Sequence, residues 1–246
     1  MPAVASSDGP VAVTGASGYI GSHVVLSLLQ HGYDVRACIT DPDNPDKTEH
    51  LLALNRADYS GNVELHTANL LDKGSYDGPF AECSAVLHVG TAMGYGGANN
   101  PRQVYDGAVN GTENVLASVR KAGTVKRFIY TSSFAAIGHP APPGYVYTEN
   151  DWASDNRDND PNWSLDNLEE KGETGYAMAK VETEHMVNRI AEEDGRFESI
   201  SVCPIVVLGP LLSKVHELVG SWQWFLGRTL AGKPCQRGWQ ALWNIV

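Results

Sequence analysis

The chain has 246 residues, of which 42% are hydrophobic and 19% charged, and a formal net charge of −11. That length buries a sizeable core and fits one doubly wound domain plus part of another. The acidic balance, with a sequence pI of about 5.1, excludes a phosphate-backbone binder, which needs clustered Lys and Arg, and no apolar run reaches the roughly 18 residues that a membrane span requires.

The first ten residues are small and polar, with no basic region followed by an apolar one. They predict a flexible N-terminus, and the cytosol is the expected compartment. Val11–Thr14 is a short apolar run that predicts a first strand. Glycines follow at 15, 18 and 21, and an amphipathic segment begins at once. The order is strand, tight turn, helix. Gly15 permits the turn, Gly18 lets the backbone approach a pyrophosphate, and Gly21 lets the helix pack closely on the strand. The helix N-terminus offers free N–H groups and a positive dipole end to phosphates.

A helix is predicted over 19–31, with Ile20, Val24, Leu28 and Leu29 on its apolar face. Gly32 ends it. Asp34–Ile39 is a second strand, Asp41–Asp46 a Pro/Asp/Asn loop, 47–54 a helix and Val63–His66 a third strand. Ala85–Val89 is nearly all apolar, as befits a parallel strand covered on both faces. A long helix follows over 101–122, with Val104, Ala108, Val115, Leu116 and Val119 inward. Phe128–Thr131 is a fifth strand, 174–193 a helix and Ile200–Cys203 a sixth strand. Repeated β-α units of this length predict a parallel sheet with helices on both faces.

Two regions break the rhythm. Residues 138–172 are rich in Pro, Asp and Asn and hold two tryptophans, too long and polar for a simple connector. A lid and an idle surface insertion are equally compatible with them. The chain stops inside an apolar run, Ala241–Val246, so a fragment lacking the rest of a substrate-binding region is expected. A helix over 212–230 carries Trp222, Trp224 and Phe225, either lining a pocket or serving as core. Four cysteines at 38, 83, 203 and 235 form no C-x-x-C pair, which predicts reduced, buried thiols. The histidines, His23, His31 and His88 among them, show no metal-ligand spacing, and no metal is expected.

Tyr176 and Lys180 stand at i and i+4 and share a helix face. A neighbouring ammonium favours the phenolate and lowers a tyrosine pKa, so such a pair makes a proton donor for a carbonyl under reduction. Ser132 and Ser133 follow the fifth strand at its carboxyl end, where open α/β sheets place ligands, and a hydroxyl there could hold a substrate oxygen.

Taken in order, Thr14-Gly-Ala-Ser-Gly-Tyr-Ile-Gly21, Thr131-Ser-Ser133 and Tyr176-Ala-Met-Ala-Lys180 resemble the extended short-chain dehydrogenase/reductase superfamily. Asp41-Pro42, Leu71-Asp72-Lys-Gly-Ser75, His88-Val89, Asn110-Gly-Thr112 and Gly209-Pro210 resemble its branch of dihydroflavonol reductases, cinnamoyl-CoA reductases and microbial carbonyl reductases. The resemblance covers residues 11 to about 210. It implies a Rossmann domain over 11–203 and a partial substrate-binding region over 204–246. It implies that Tyr176 protonates the substrate oxygen, that Lys180 binds the nicotinamide ribose and tunes Tyr176, and that Ser133 holds the carbonyl. It further implies that Gly15, Gly18, Tyr19, Ile20 and Gly21 cradle the pyrophosphate and that Asn69 and Leu70 flank the adenine. Val89, Gly90 and Thr91 would line the cofactor path, Pro204 and Val207 would pack near the nicotinamide, and Asn110 would either support the proton relay or pack as an amide. By position after the fourth strand, Met93 and Tyr95 either face substrate or belong to an ordinary loop.

Thr40 stands where NADP-using members carry an arginine, Lys47 where a second phosphate-binding lysine is expected, and Ile39 where an NAD enzyme places an acid. The missing arginine counts against NADP, whereas Lys47, Arg36 and the missing acid lean toward NADP over NAD. Asn69 replaces the usual Asp. The cinnamoyl-CoA reductase signature at the tyrosine is missing, which disfavours a CoA thioester. The expectation is therefore an NAD(P)H-dependent reductase of a small ketone or aldehyde, monomeric or homodimeric. The alternatives are a nucleotide-binding module without catalysis and, third, a nucleotide-sugar epimerase.

Overall fold

A computed structural model describes residues 4–56, 58–91, 101–155, 157, 160, 163–168, 172–205, 207, 209–216 and 232. The strands are β1 (Val11–Thr14), β2 (Val35–Ile39), β3 (Val63–Thr67), β4 (Ala85–His88), β5 (Arg127–Thr131) and β6 (Glu198–Val202). They form one parallel sheet in the order β3-β2-β1-β4-β5-β6. The order reverses between β1 and β4, and that switch point is where doubly wound sheets open a ligand crevice.

Helices cover both faces. On one, α1 (Tyr19–Gln30) and α2 (Pro45–Leu52) pack Val25, Leu29 and Leu51 against Val13, Ala37 and Ile39. On the other, α4 (Pro101–Ala122) and α6 (Gly172–Asp194) pack Val115, Leu116, Val119, Met186 and Val187 against Ala12, Val86, Phe128 and Tyr130. Two four-residue helices, α3 (Asp77–Phe80) and α5 (Phe134–Ile137), are the remaining α-helices among the described residues. Single turns of this kind lack the repeated apolar period that reveals longer helices in sequence.

Several expectations need correction. The buried stripe of α1 is Gly21, Ser22, Val25 and Leu29, with Ile20, Val24 and Leu28 only half-buried. The cause is contact with the glycine turn: a Cβ on Gly21 would lie 2.1 Å from the Gly15 carbonyl oxygen, and Ser22 Oγ donates to Ala16 O at 3.0 Å. The helix turns its smallest residues, not its largest, toward that backbone. Helix α2 begins at Pro45, because Asn44 caps it by accepting from Asp46 N at 3.1 Å and Pro45 takes the first helical position. A 3-10 turn, Ala53–Arg56, follows it. Strand β6 starts at Glu198 and ends at Val202, and β4 ends at His88.

Much of the described part of the 138–172 segment folds around the buried Asp151. Its carboxylate accepts from Tyr145 Oη, from Thr148 Oγ1 at 3.0 Å, and lies 2.9 Å from His139 Nε2. Ala153 N donates to Ala136 O at 2.7 Å, and Phe134 meets Tyr147 edge-on. The segment is thereby fastened to α5, next to Ser133. Among the described residues the cysteines are free, Cys38 and Cys83 buried and Cys203 half-buried, the last being less enclosed than expected. No helix among the described residues is long and apolar enough to cross a membrane. Cys235, Met93, Tyr95, Trp222, Trp224, Phe225, most of the 212–230 helix and the 241–246 run lie outside the described residues.

Candidate active site

Two glycine backbones meet at the switch point. Gly15 has φ +63°, and a Cβ there would lie 2.6 Å from Gly90 Cα. Only a chain with no side chain at 15 lets the β1 and β4 exits touch. Gly18 N donates to Gly15 O at 3.0 Å, and Gly18 caps α1 with no side-chain hydrogen bond. The first-turn amides of Tyr19, Ile20 and Gly21 therefore face the turn with no capping side chain, an arrangement suited to an anion. This cradle of close backbone and uncapped first-turn amides suits the pyrophosphate of a dinucleotide, and the 209–216 stretch lies beside it, with His216 Nε2 3.0 Å from Ser17 O and Tyr19 Oη donating to Gly209 O at 2.9 Å.

Below the cradle lies a buried polar row. Thr14 Oγ1 is 2.7 Å from His88 Nδ1 and accepts from Gly90 N at 3.3 Å. His88 Nε2 is 3.4 Å from Thr112 Oγ1, and the His88 ring stacks on Tyr130. Burial, helped by the Lys180 charge, pulls the His88 pKa down to about 3, so the imidazole is neutral and holds the β1 and β4 exits together.

Tyr130 passes the row on to α6. Its hydroxyl is 2.6 Å from Thr183 Oγ1 and accepts from Lys180 Nζ at 3.2 Å. Lys180 is 2% exposed. Its ammonium also donates to Thr131 O at 2.8 Å and Thr91 Oγ1 at 3.2 Å, so it bridges the exits of β4 and β5. Burial lowers its pKa to about 8, with the charges of Glu184 and Cys203 acting in the opposite sense. Tyr176 sits one turn N-terminal on the same helix, half-buried, with Lys180 Nζ 5.8 Å from its ring centroid.

Ser132 and Ser133 part ways. Ser132 is buried and donates to Glu184. Ser133 caps α5 by accepting from Ala135 N at 3.1 Å, which leaves its proton to donate elsewhere. Phe134 N donates to Pro204 O at 3.0 Å, so the chain after β6 is tied to the serine turn, and Val207 is half-buried farther along that stretch.

The remaining expected residues are more scattered. Thr40 is exposed at the β2 exit, and Lys47 is half-buried in the first turns of α2. Arg36 is removed from the cofactor set: it pairs with Ala12, back from the carboxyl end of β2, and donates to Pro79 O at 3.1 Å and to Ala81 O. Ile39 is core. Asn69 uses its side chain in a local turn, accepting from Leu71 N at 3.1 Å. Asn110 is exposed, whereas Asn114 is the inward amide and donates to Leu70 O at 2.8 Å. Tyr130, Thr183 and Glu184 belong to the site without having been expected from the sequence. For Glu184 a signal existed: it lies four residues beyond Lys180, on the face that Tyr176 and Lys180 share.

The family model described as "NAD dependent epimerase/dehydratase family" matches residues 11–237. A dihydroflavonol 4-reductase from Hordeum vulgare is 35% identical over 207 residues, 83% of this chain and 55% of the relative. Another from Arabidopsis thaliana is 37% identical over 205 residues, 82% of this chain and 50% of the relative. The chain thus spans about half the length of the curated relatives it matches. Among solved structures, yeast methylglyoxal/isovaleraldehyde reductase Gre2 complexed with NADPH shares the fold, with a TM-score of 0.67, 24% identity and coverage of 82% of this chain and 59% of that one.

Proposed function

Because this chain belongs to the NAD dependent epimerase/dehydratase family, we propose that it is an NAD(P)H-dependent reductase of a ketone or aldehyde carbonyl, with NADP the preferred cofactor. One observation carries the reading. A buried lysine on α6 reaches the exits of β4 and β5 through Thr91 and Thr131, with Tyr176 one turn before it and Ser133 at the end of β5. Lys180 and Ser133 thus both stand at the carboxyl end of β5, on the side of the sheet where the glycine turn after β1 lies.

The relatives named dihydroflavonol 4-reductase support a ketone substrate of moderate polarity. So does the Phe134-Ala135-Ala136 run after Ser133, which offers none of the acidic groups that removal of water from a sugar would need. In this reading Gly15, Gly18, Tyr19, Ile20 and Gly21 hold the pyrophosphate. Leu70 and Asn69 border the adenine, Val89, Gly90 and Thr91 line the path, and Pro204 and Val207 close the nicotinamide end. Lys47 and Thr40 meet the adenosine 2′-phosphate, with Lys47 as the charged partner.

A bound nicotinamide supplies the hydride. Ser133 Oγ donates a hydrogen bond to the substrate oxygen and orients the carbonyl. Tyr176 Oη gives that oxygen its proton as negative charge develops there. The Lys180 ammonium, 5.8 Å from the tyrosine ring centroid, is a positive charge placed to favour the phenolate as the proton leaves. Lys180 already makes three hydrogen bonds to neutral oxygens. It would hold a ribose hydroxyl by exchanging the Thr91 bond, a part-buried bond to a side-chain hydroxyl.

The test is a fluorescence titration with NADPH and NADH, followed by NADPH oxidation in the presence of dihydroflavonols and simple ketones. The reading predicts binding and ketone-dependent oxidation. Binding with no oxidation by any carbonyl would replace it with a nucleotide-binding module.

A further inference from the structure

Glu184 occupies an unusual place. Tyr176, Lys180 and Glu184 follow one another at four-residue steps along α6, and Glu184 is 7% exposed. Its carboxylate accepts from Ser132 Oγ and, at 3.7 Å, from Cys203 Sγ. Ser132 is itself 3% exposed, and its amide donates to Tyr130 O at 3.1 Å. The turn that presents Ser133 is therefore pinned from behind by α6. Meanwhile, among the described residues, the oxygens that bond Lys180 belong to Thr91, Tyr130 and Thr131, and all are neutral. An ammonium this deeply buried needs an opposite charge nearby.

We propose that Glu184 is a positioning residue of the site: it anchors the Ser132–Ser133 turn through Ser132 and supplies the buried negative charge that faces Lys180. The inference rests on the reductase reading above. One carboxylate thus sets two of the three reacting side chains, the serine by a hydrogen bond and the lysine by its field. Among the described residues, the titratable groups facing Lys180 are His88 from β4, Tyr130 from β5, Tyr176 and Glu184 from α6, and Cys203 after β6. Among these, Glu184 is the carboxylate. Its charge raises the Lys180 pKa while burial lowers it, so loss of that charge moves Lys180 further down.

The experiment separates the two roles. Glu184→Gln keeps an acceptor for Ser132 and removes the charge, whereas Ser132→Ala keeps the charge and removes the anchor. Full-length protein carrying 13C at the lysine Cε is titrated by NMR without cofactor, and the Lys180 signal is identified by its loss in Lys180→Arg. The expected result is a Lys180 midpoint about one pH unit lower in Glu184→Gln, with the alkaline limb of kcat/KM moving down in step. In Ser132→Ala the midpoint stays in place and kcat falls roughly tenfold or more through a misplaced serine turn. A Glu184→Gln protein whose Lys180 titrates as in wild type overturns the proposal. Should Glu184→Gln fail to fold, Ser132→Ala decides alone, and wild-type kcat and KM in that variant overturn it. Wild-type protein that reduces no carbonyl counts against the reductase reading instead, because the Lys180 midpoint is read without substrate or cofactor.

Discussion

Replacing the turn glycines one at a time separates what the fold needs from what the ligand needs. Gly15 has φ +63°, and a new Cβ would sit 2.6 Å from Gly90 Cα, a backbone atom that cannot swing aside. The left-handed conformation costs an alanine about 1–2 kcal/mol, and overpacking against fixed backbone adds about 1–3 kcal/mol. Gly15→Ala is thus expected to lose about 2–5 kcal/mol of unfolding free energy. Gly144 is the internal control: its φ is +84°, but nothing lies within 4 Å of a Cβ there. Gly144→Ala should carry the conformational cost alone, about 1–2 kcal/mol. Gly18 has φ −76°, and its added Cβ would lie 3.2 Å from Gly15 O, so Gly18→Ala should cost under about 1 kcal/mol of stability. If Gly18 faces the pyrophosphate, the same methyl occupies the space a phosphate oxygen needs, and NADPH affinity should fall at least tenfold. Urea unfolding reads the stabilities and fluorescence titration the affinity. A Gly15→Ala protein no less stable than Gly144→Ala would refute the contact argument, and a Gly18→Ala protein that binds NADPH as wild type does would refute the cradle.

Lys47→Ala should weaken NADPH by roughly tenfold relative to NADH, the loss of one charge-assisted phosphate contact; an equal effect on both cofactors would remove Lys47 from the 2′-phosphate site. Acid stability tests the buried histidine: the His88 pKa is about 3 in the folded protein, against an ordinary value of 6.5 for a solvated imidazole in the unfolded chain. The unfolded chain therefore binds the extra proton in that window, and stability falls as pH drops below 6.5, by up to about 1.4 kcal/mol per pH unit for one group. His88→Gln should flatten the slope of unfolding free energy against pH between about pH 4 and 6 by up to that amount, and an unchanged slope would place the imidazole outside the neutral core row.

The sheet, its helices and the glycine turn could be read from the chain because each repeats a physical period or demands a residue type. Alternating β-α runs, a bare glycine at a left-handed turn and an i, i+4 Tyr-Lys pair are local patterns. Contacts between distant segments were not legible. The inward face of α1 depends on Gly21 and Ser22 meeting the turn backbone, which an apolar count along the helix cannot show. Arg36 looks like a phosphate ligand until its register with Ala12 places it back along the strand, where it donates to the Pro79 and Ala81 carbonyls. Asn110 and Asn114 differ by one helical turn, and only the fold shows that Asn114 is the inward amide, donating to Leu70 O, while Asn110 is exposed. Glu184 reads as an ordinary helix charge until Ser132 is found beneath it.

The account stands or falls on whether the Tyr176 hydroxyl delivers a proton beside the bound cofactor. Tyr176→Phe removes that oxygen and nothing else, so it should bind NADPH within about twofold of wild type while ketone-dependent NADPH oxidation drops by roughly 100-fold or more. Oxidation at the wild-type rate by Tyr176→Phe, with binding intact, would contradict the mechanism.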